Sequence, residues 1–221
     1  MPNTLAEPKA EAVLSRLFAA AAHDDEVASA LPPDRVQSSD RTRAAAERSN
    51  AAQDIYMPVS AEGGRLLYSL VRAARPEMVV EFGTSFGIST IFLAAAVTDN
   101  GMGRVVTTEL SSRKAEAARS NLEQAGVAGV VTLLEGDALQ TLAGVPGPVG
   151  LVLLDGWKDL YLPVLHLLEP RLAPGALVVA DDSSFASVGE YLAYVQDPGN
   201  GFVTVEFPVE DGMAISSYTG R

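Results

Sequence analysis

Asp155 and Lys158 stand three residues apart, and Asp181 and Asp182 follow as a pair further along the chain. Brought together, three carboxylates offer the hard oxygen donors that Mg²⁺ or Ca²⁺ prefers. Lys158 beside them would act as a general base if burial and a cation lowered its pKa toward neutrality. Its plain alternative is an ion pair with Asp155 or Asp159. Asp181 and Asp182 have plain alternatives too, as caps for a helix near residue 187 or in a turn with Ser183. His23 and His166 are set aside: His166 falls mid-helix among leucines and reads as packed.

A second group surrounds Val79 to Thr90, where apolar β-formers lead through Glu81 into Gly83 and Gly87. A buried strand, a glycine turn and a helix over Ile88 to Val97, expected to be amphipathic, make the first βα unit of a doubly wound sheet. The turn lets a ligand approach the backbone, and the helix N-terminus offers free N–H groups. Glu-x-Gly-x-Ser-x-Gly is not the dinucleotide fingerprint, since Ser85 and Ile88 hold positions that need glycine. The acid two residues before Gly83 suits a ligand carrying an amine and a carboxylate better than a pyrophosphate. Glu109 lies where an acid takes the two hydroxyls of a ribose, or else favours the next helix dipole. Asp137, after Gly136, either accepts from an adenine amino group or caps the short helix that follows.

These residues need a scaffold that delivers them to one edge. Strand patterns at 78–82, 104–108, 130–134, 149–154 and 176–180 alternate with helical patterns at 88–97, 112–125, 138–143, 158–172 and 187–196. Such alternation predicts a parallel sheet covered on both faces. Ligands of an open α/β sheet bind at the carboxyl ends of the strands, and every one of these strands ends at or beside a carboxylate. Their mutual repulsion would be costly without a cation among them. Strands 4 and 5 are neighbours in this topology, so Asp155 meets Asp181 and Asp182. Phe202 to Phe207 and Met213 to Tyr218, joined by a short link at Pro208 to Gly212, predict a terminal antiparallel hairpin.

Upstream, residues 9–23 and 42–53 read as helices interrupted by Pro32-Pro33. Ser60 is a fitting N-cap for a helix over Ala61 to Ala74. Residues 1–54 are expected to form a helical appendage, serving as gate, cap or dimer contact, and 55–221 the main domain. Arg41, Arg43 and Arg48 read as a solvated helix face.

Composition bounds the partners. The 221 residues are 48% hydrophobic, enough for one sizeable core, and a net charge of −12 argues against nucleic acid as the partner. The absence of cysteine excludes disulfides, thiolate metal sites and cysteine nucleophiles. No apolar run reaches membrane-spanning length and no signal-peptide pattern opens the chain, so a cytoplasmic protein with no membrane partner is expected.

Leu153-Leu154-Asp155-Gly156-Trp157-Lys158-Asp159-Leu160-Tyr161-Leu162-Pro163 resembles the metal-binding segment of the catechol O-methyltransferases. Val178-Val179-Ala180-Asp181-Asp182 resembles a second metal segment shared with the caffeoyl-CoA O-methyltransferases. Val79 to Thr90 is similar to their S-adenosylmethionine motif, and Met57-Pro58-Val59-Ser60 with Gly63-Gly64 to the segment that closes over the cofactor. The resemblance covers roughly residues 55 to 220. It implies a Rossmann-like methyltransferase fold: a mostly parallel seven-stranded sheet, helices on both faces and a C-terminal antiparallel hairpin. It further implies that Met57, Val59, Glu81, Gly83, Ser85 and Ser89 surround the methionine part of S-adenosylmethionine. Glu109 would hold the ribose, and Asp137, Ala138 and Trp157 would flank the adenine. Asp155, Asp181 and Asp182 would bind Mg²⁺, with Mn²⁺ or Ca²⁺ as alternatives, and Lys158 would take the proton of a catechol-like substrate. Bacterial relatives suggest a homodimer.

Two positions depart from the family pattern. Asp182 stands where the family usually has Asn, so a third carboxylate should bind a cation more tightly and leave it less electrophilic. Asp182→Asn is therefore expected to weaken metal affinity yet keep turnover; a variant that holds the metal but is inactive would contradict this. Second, the acid that grips the far catechol hydroxyl in the animal enzymes aligns with Val205, next to Glu206, and Glu206 is assigned no role. Two other readings stay open: a metal-independent small-molecule methyltransferase, and a cofactor-binding protein of this fold without catechol activity.

Overall fold

The computed structural model describes residues 3–29 and 41–220; Pro32-Pro33 lie outside them. The seven strands are β1 Met78–Phe82, β2 Arg104–Glu109, β3 Val131–Glu135, β4 Val149–Leu154, β5 Leu172–Ala180, β6 Phe202–Phe207 and β7 Met213–Tyr218. They form one sheet in the order β3-β2-β1-β4-β5-β7-β6. The first five run parallel, whereas β7 is antiparallel to both β5 and β6, so the expected hairpin closes the sheet with one reversed strand. The order reverses between β1 and β4, which puts the crevice of a doubly wound sheet beside the ends of those two strands.

The helices are α1 Pro8–Ala21, α2 Asp24–Ser29, α3 Arg41–Ala51, α4 Ala61–Ala74, α5 Ile88–Asn100, α6 Ser112–Ala125, α7 Ala138–Thr141, α8 Tyr161–Leu168 and α9 Gly189–Gln196. Successive strand residues feed opposite faces. Val79, Leu151, Leu153 and Val179 pack with α4 and α5, while Val80, Val152, Leu154 and Val178 pack with α8 and α9. Ser60 caps α4 by accepting from the Gly63 N–H at 3.0 Å, and Ser111 caps α6. Gly126 ends α6 in the left-handed conformation.

Three expectations need correction. α5 is not amphipathic: every residue except Thr98 is buried, because α1 and α4 cover the side that would otherwise face water. The pattern read as one helix over 158–172 is α8 flanked by two 3₁₀ turns, Lys158–Leu160 and Glu169–Arg171. Leu172 already belongs to β5, which starts four residues earlier than expected and absorbs Pro174 and Gly175 through an irregular register with β4.

The N-terminal region shares the main core. Val13, Leu14 and Leu17 of α1 are buried in the same cluster as α5. Asp99 of α5 accepts from the Thr4 amide and hydroxyl and from the Tyr68 hydroxyl. Among the described residues no helix is long and apolar enough to cross a membrane.

Candidate active site

A cavity of about 720 Å³ runs along the carboxyl ends of β1, β2, β4 and β5. Its walls contain all but one of the residues expected to hold cofactor or metal or to take the proton: Met57, Val59, Gly83, Ser85, Ser89, Glu109, Asp137, Ala138, Asp155, Trp157, Lys158, Asp181 and Asp182. The exception is Glu81, which is fully buried behind the wall. It accepts from the Ser89 hydroxyl at 2.6 Å and the Thr90 hydroxyl at 2.5 Å, tying β1 to the first turn of α5. Burial pushes its carboxyl up and these hydroxyls partly hold it down.

Gly83 has a positive φ of 105°, and a Cβ there would meet the Asp155 carbonyl oxygen at 2.4 Å. Glycine is needed here because the ends of β1 and β4 touch. Beyond it, Ser85 gives its N–H to Glu109 at 2.8 Å, and Ser111 gives its own to the other carboxylate oxygen at 2.8 Å. Glu109 therefore both engages the start of α6 and lines the cavity. Burial raises its pKa, while these N–H groups and Lys114 oppose the rise. Asp137 accepts from the Leu139 N–H at 3.0 Å as the cap of α7, and it also lines the cavity.

At the far end the carboxylate oxygens of Asp155, Asp181 and Asp182 lie within 4.8 Å of one another. Asp181 and Asp182 cap no helix: the residue before the 3₁₀ turn at Ala186–Val188 is Phe185, without a side-chain cap. Desolvation raises Asp155 well above the carboxylate range, and Asp181 and Asp182 add to the rise. Asp181 is pushed up to about 6, by burial and then by Asp182. Three acids held together at a cost in ionisation are a donor set suited to a small hard cation.

Lys158 is the cation now facing them, 2.7 Å from Asp182 and 3.6 Å from Asp155. Its Nζ also donates to the Tyr161 hydroxyl at 2.9 Å. Burial pulls this lysine down as expected, but with no cation among the carboxylates Asp155 and Asp182 outweigh that and raise it. Asp159 does not pair with it and instead binds Arg48 at 2.7 Å. Arg48 is thus no member of a solvated face, since its guanidinium also lies 4.8 Å over the Trp157 ring; the side chains of Arg41 and Arg43 are outside the described set. His166 is exposed rather than packed, its ring edge against Tyr194 at 4.7 Å.

The segment Ile55–Ser60 crosses the cavity as a strap. Asp24 accepts from the Tyr56 and Met57 N–H groups at 2.9 and 2.8 Å, and the Ser85 hydroxyl donates to the Tyr56 carbonyl at 2.6 Å. Tyr56 stacks on Phe86 with centroids 4.0 Å apart, and Glu210 accepts from the Ser60 N–H. Asp24, Lys114, Tyr161 and Glu210 were not singled out in the sequence. Lys114 is the most informative omission, a buried ammonium in the cavity wall whose pKa burial lowers and Glu109 supports. Its position three residues after the Ser111 cap places it in the first turn of α6 but does not show that this turn faces the cavity. Val205 and Glu206 are exposed, with Glu206 bonded to Gln196; the acids lining this part of the cavity are Glu210 and Asp211.

A methyltransferase domain model matches residues 80–183. A catechol O-methyltransferase of Mycobacterium tuberculosis is 39% identical over 140 residues, 63% of each chain. A probable O-methyltransferase of the same organism is 33% identical over 160 residues, covering 67% of each. The chain belongs to the S-adenosylmethionine-dependent O-methyltransferases. It spans 63, 55 and 62% of the length of three catechol O-methyltransferases it matches, so under two thirds of each. Among solved structures, the O-methyltransferase TomG of Streptomyces achromogenes, in complex with SAM, gives a TM-score of 0.67 at 26% identity, covering 92% of this chain and 99% of that one. A Klebsiella pneumoniae structure gives 0.70 at 23% identity over 94 and 90% of the two chains, a likeness of fold. Membership of this family agrees with the Rossmann-like sheet and its terminal hairpin.

Proposed function

We propose that this protein transfers the methyl group of S-adenosylmethionine to one hydroxyl of a small catechol-like substrate and needs a divalent cation to do so. The observation that carries the reading is one cavity joining Glu109 and Asp137 at one end to Asp155, Lys158, Asp181 and Asp182 at the other. Along it, Glu109 holds the ribose hydroxyls, its two oxygens fixed by the Ser85 and Ser111 amides. Asp137 and Ala138 border the adenine, with Trp157 opposite, and Gly83, Ser85, Ser89 and the Met57–Val59 strap enclose the methionine part. Glu81 acts at one remove by holding Ser89. The strap excludes water from the methyl donor.

Asp155, Asp181 and Asp182 would hold Mg²⁺, which supplies the charge that acidifies two vicinal hydroxyls and orients one for attack. Lys158 accepts the proton at Nζ. Tyr161 keeps Nζ aimed at the substrate, and Asp155 and Asp182 set the lysine's charge. The sulfonium is a good leaving group, so the protein contributes mainly position and electrostatics. Asp24 of α2 and Ala45 and Ser49 of α3, which line the cavity, serve as a cap within the same chain.

Incubation with methyl-labelled S-adenosylmethionine, Mg²⁺ and a panel of catechols, caffeoyl esters and flavonoids should give labelled mono-O-methyl products from vicinal diols alone. Labelling of lone phenols at equal rates would remove the catechol reading. Glu109→Gln should weaken S-adenosylhomocysteine binding about 10- to 100-fold by calorimetry, since a charge-assisted pair of hydrogen bonds is lost. Unchanged affinity would remove the ribose from Glu109.

A further inference from the structure

Arg48 belongs to α3, upstream of the segments that carry the family motifs, yet it grips the motif around Lys158 from outside. Its guanidinium carbon sits 4.8 Å over the Trp157 ring, and one of its terminal nitrogens lies 2.7 Å from Asp159. Lys158 lies between those two residues and opens the 3₁₀ turn Lys158–Leu160. Arg48 thus holds both neighbours of Lys158 across 111 positions of chain. The contact is no solvated surface pair: the two side chains are 21 and 29% exposed, and the buried Arg48 Nε has no hydrogen-bond partner among the described residues. Leaving that donor unsatisfied costs stability, a cost expected where geometry at a site is being enforced. Ala45 and Ser49 of the same helix line the cavity, so α3 forms part of its wall as well as carrying the clamp.

We propose that Arg48 is a positioning residue with two separable effects, stacking that fixes Trp157 against the cofactor and an ion pair with Asp159 that fixes Lys158 for proton transfer. This rests on the proposed adenosine site beside Trp157. A planar guanidinium stacks on indole and pairs with a carboxylate at once, whereas an ammonium does only the second well.

Trp157 is the sole tryptophan in the chain, so its emission reports the clamp directly. The test titrates wild type, Arg48→Met, Arg48→Lys and Asp159→Asn with S-adenosylhomocysteine while following that emission, then measures kcat and both KM values. Arg48→Met should weaken cofactor binding about fivefold to tenfold and shift the free-protein emission, the size of a partly desolvated cation–π contact. It should also lower kcat by a similar factor. Arg48→Lys should recover most of kcat but little of the affinity, and Asp159→Asn should do the reverse, losing kcat while keeping affinity. Wild-type affinity and kcat in a folded Arg48→Met would overturn the inference. Should that variant not fold, equal losses of both quantities in Arg48→Lys and Asp159→Asn would overturn it as well. A folded wild type that binds no cofactor would instead overturn the adenosine site and this inference with it.

Discussion

Lys158→Met is expected to lower kcat by about 10²- to 10⁴-fold, the contribution of one well-placed general base. The KM for S-adenosylmethionine should change little, because Lys158 lies at the opposite end of the cavity from Glu109. Lys158→Arg should not rescue the loss, since a guanidinium keeps its proton at any working pH. The pH profile carries further information. While Asp155 and Asp182 face Lys158 unengaged, they raise its pKa and keep it charged. It becomes a competent base only when those carboxylates are otherwise engaged. Activity should therefore rise with pH as the ammonium loses its proton, and this rise should vanish in Lys158→Met. Near-wild-type kcat in a folded Lys158→Met would mean that the proton leaves by another route.

Asp181→Asn should produce opposite effects on activity and stability. Turnover is expected to fall by about a hundredfold or more, because Asp181, unlike Asp182, stands where the family pattern keeps a carboxylate rather than an amide on the cation. The cation-free protein should nevertheless melt higher at pH 7. Asp181 is held at about 6 against an ordinary 3.8, so the folded state binds its proton more tightly than the unfolded state does. Its contribution to stability is full below about pH 4 and is lost as the pH rises through about 6. Above that, keeping the carboxylate ionised costs on the order of 1–3 kcal/mol. Relief of that cost corresponds to a melting temperature about 3–10 °C higher. Scanning calorimetry in chelator at pH 4 and pH 7 checks this: the variant should gain at pH 7 and not at pH 4. A lower melting temperature at pH 7 would show that Asp181 is well accommodated without a cation.

Local chemistry made most of this readable. β1 and β4 have the expected ends because each apolar run stops at a charged or glycine residue, and α4 and α6 begin at the serines that cap them. The carboxylates converge because each lies at the end of a parallel strand or within two residues past it. What escaped depended on contacts distant in sequence. Arg48 looked solvated because its partners lie more than a hundred positions away. Lys114 looked like an ordinary first-turn residue because no local pattern shows that the start of α6 faces the cavity. Glu81 was placed around the ligand because period-two alternation does not say which face of β1 the ligand occupies. The low pKa expected of Lys158 needs a cation as well as burial, and the distances to Asp155 and Asp182 show why burial without one does not reach it.

The proposed function stands or falls on whether Asp155, Asp181 and Asp182 hold a cation that the reaction needs. The direct measurement is the initial rate with S-adenosylmethionine and catechol, after stripping with chelator and then on titration with Mg²⁺. A rate that disappears with chelator and returns saturably with Mg²⁺, and that does not return in Asp181→Asn, is the predicted result. Wild-type turnover that ignores the chelator would contradict it.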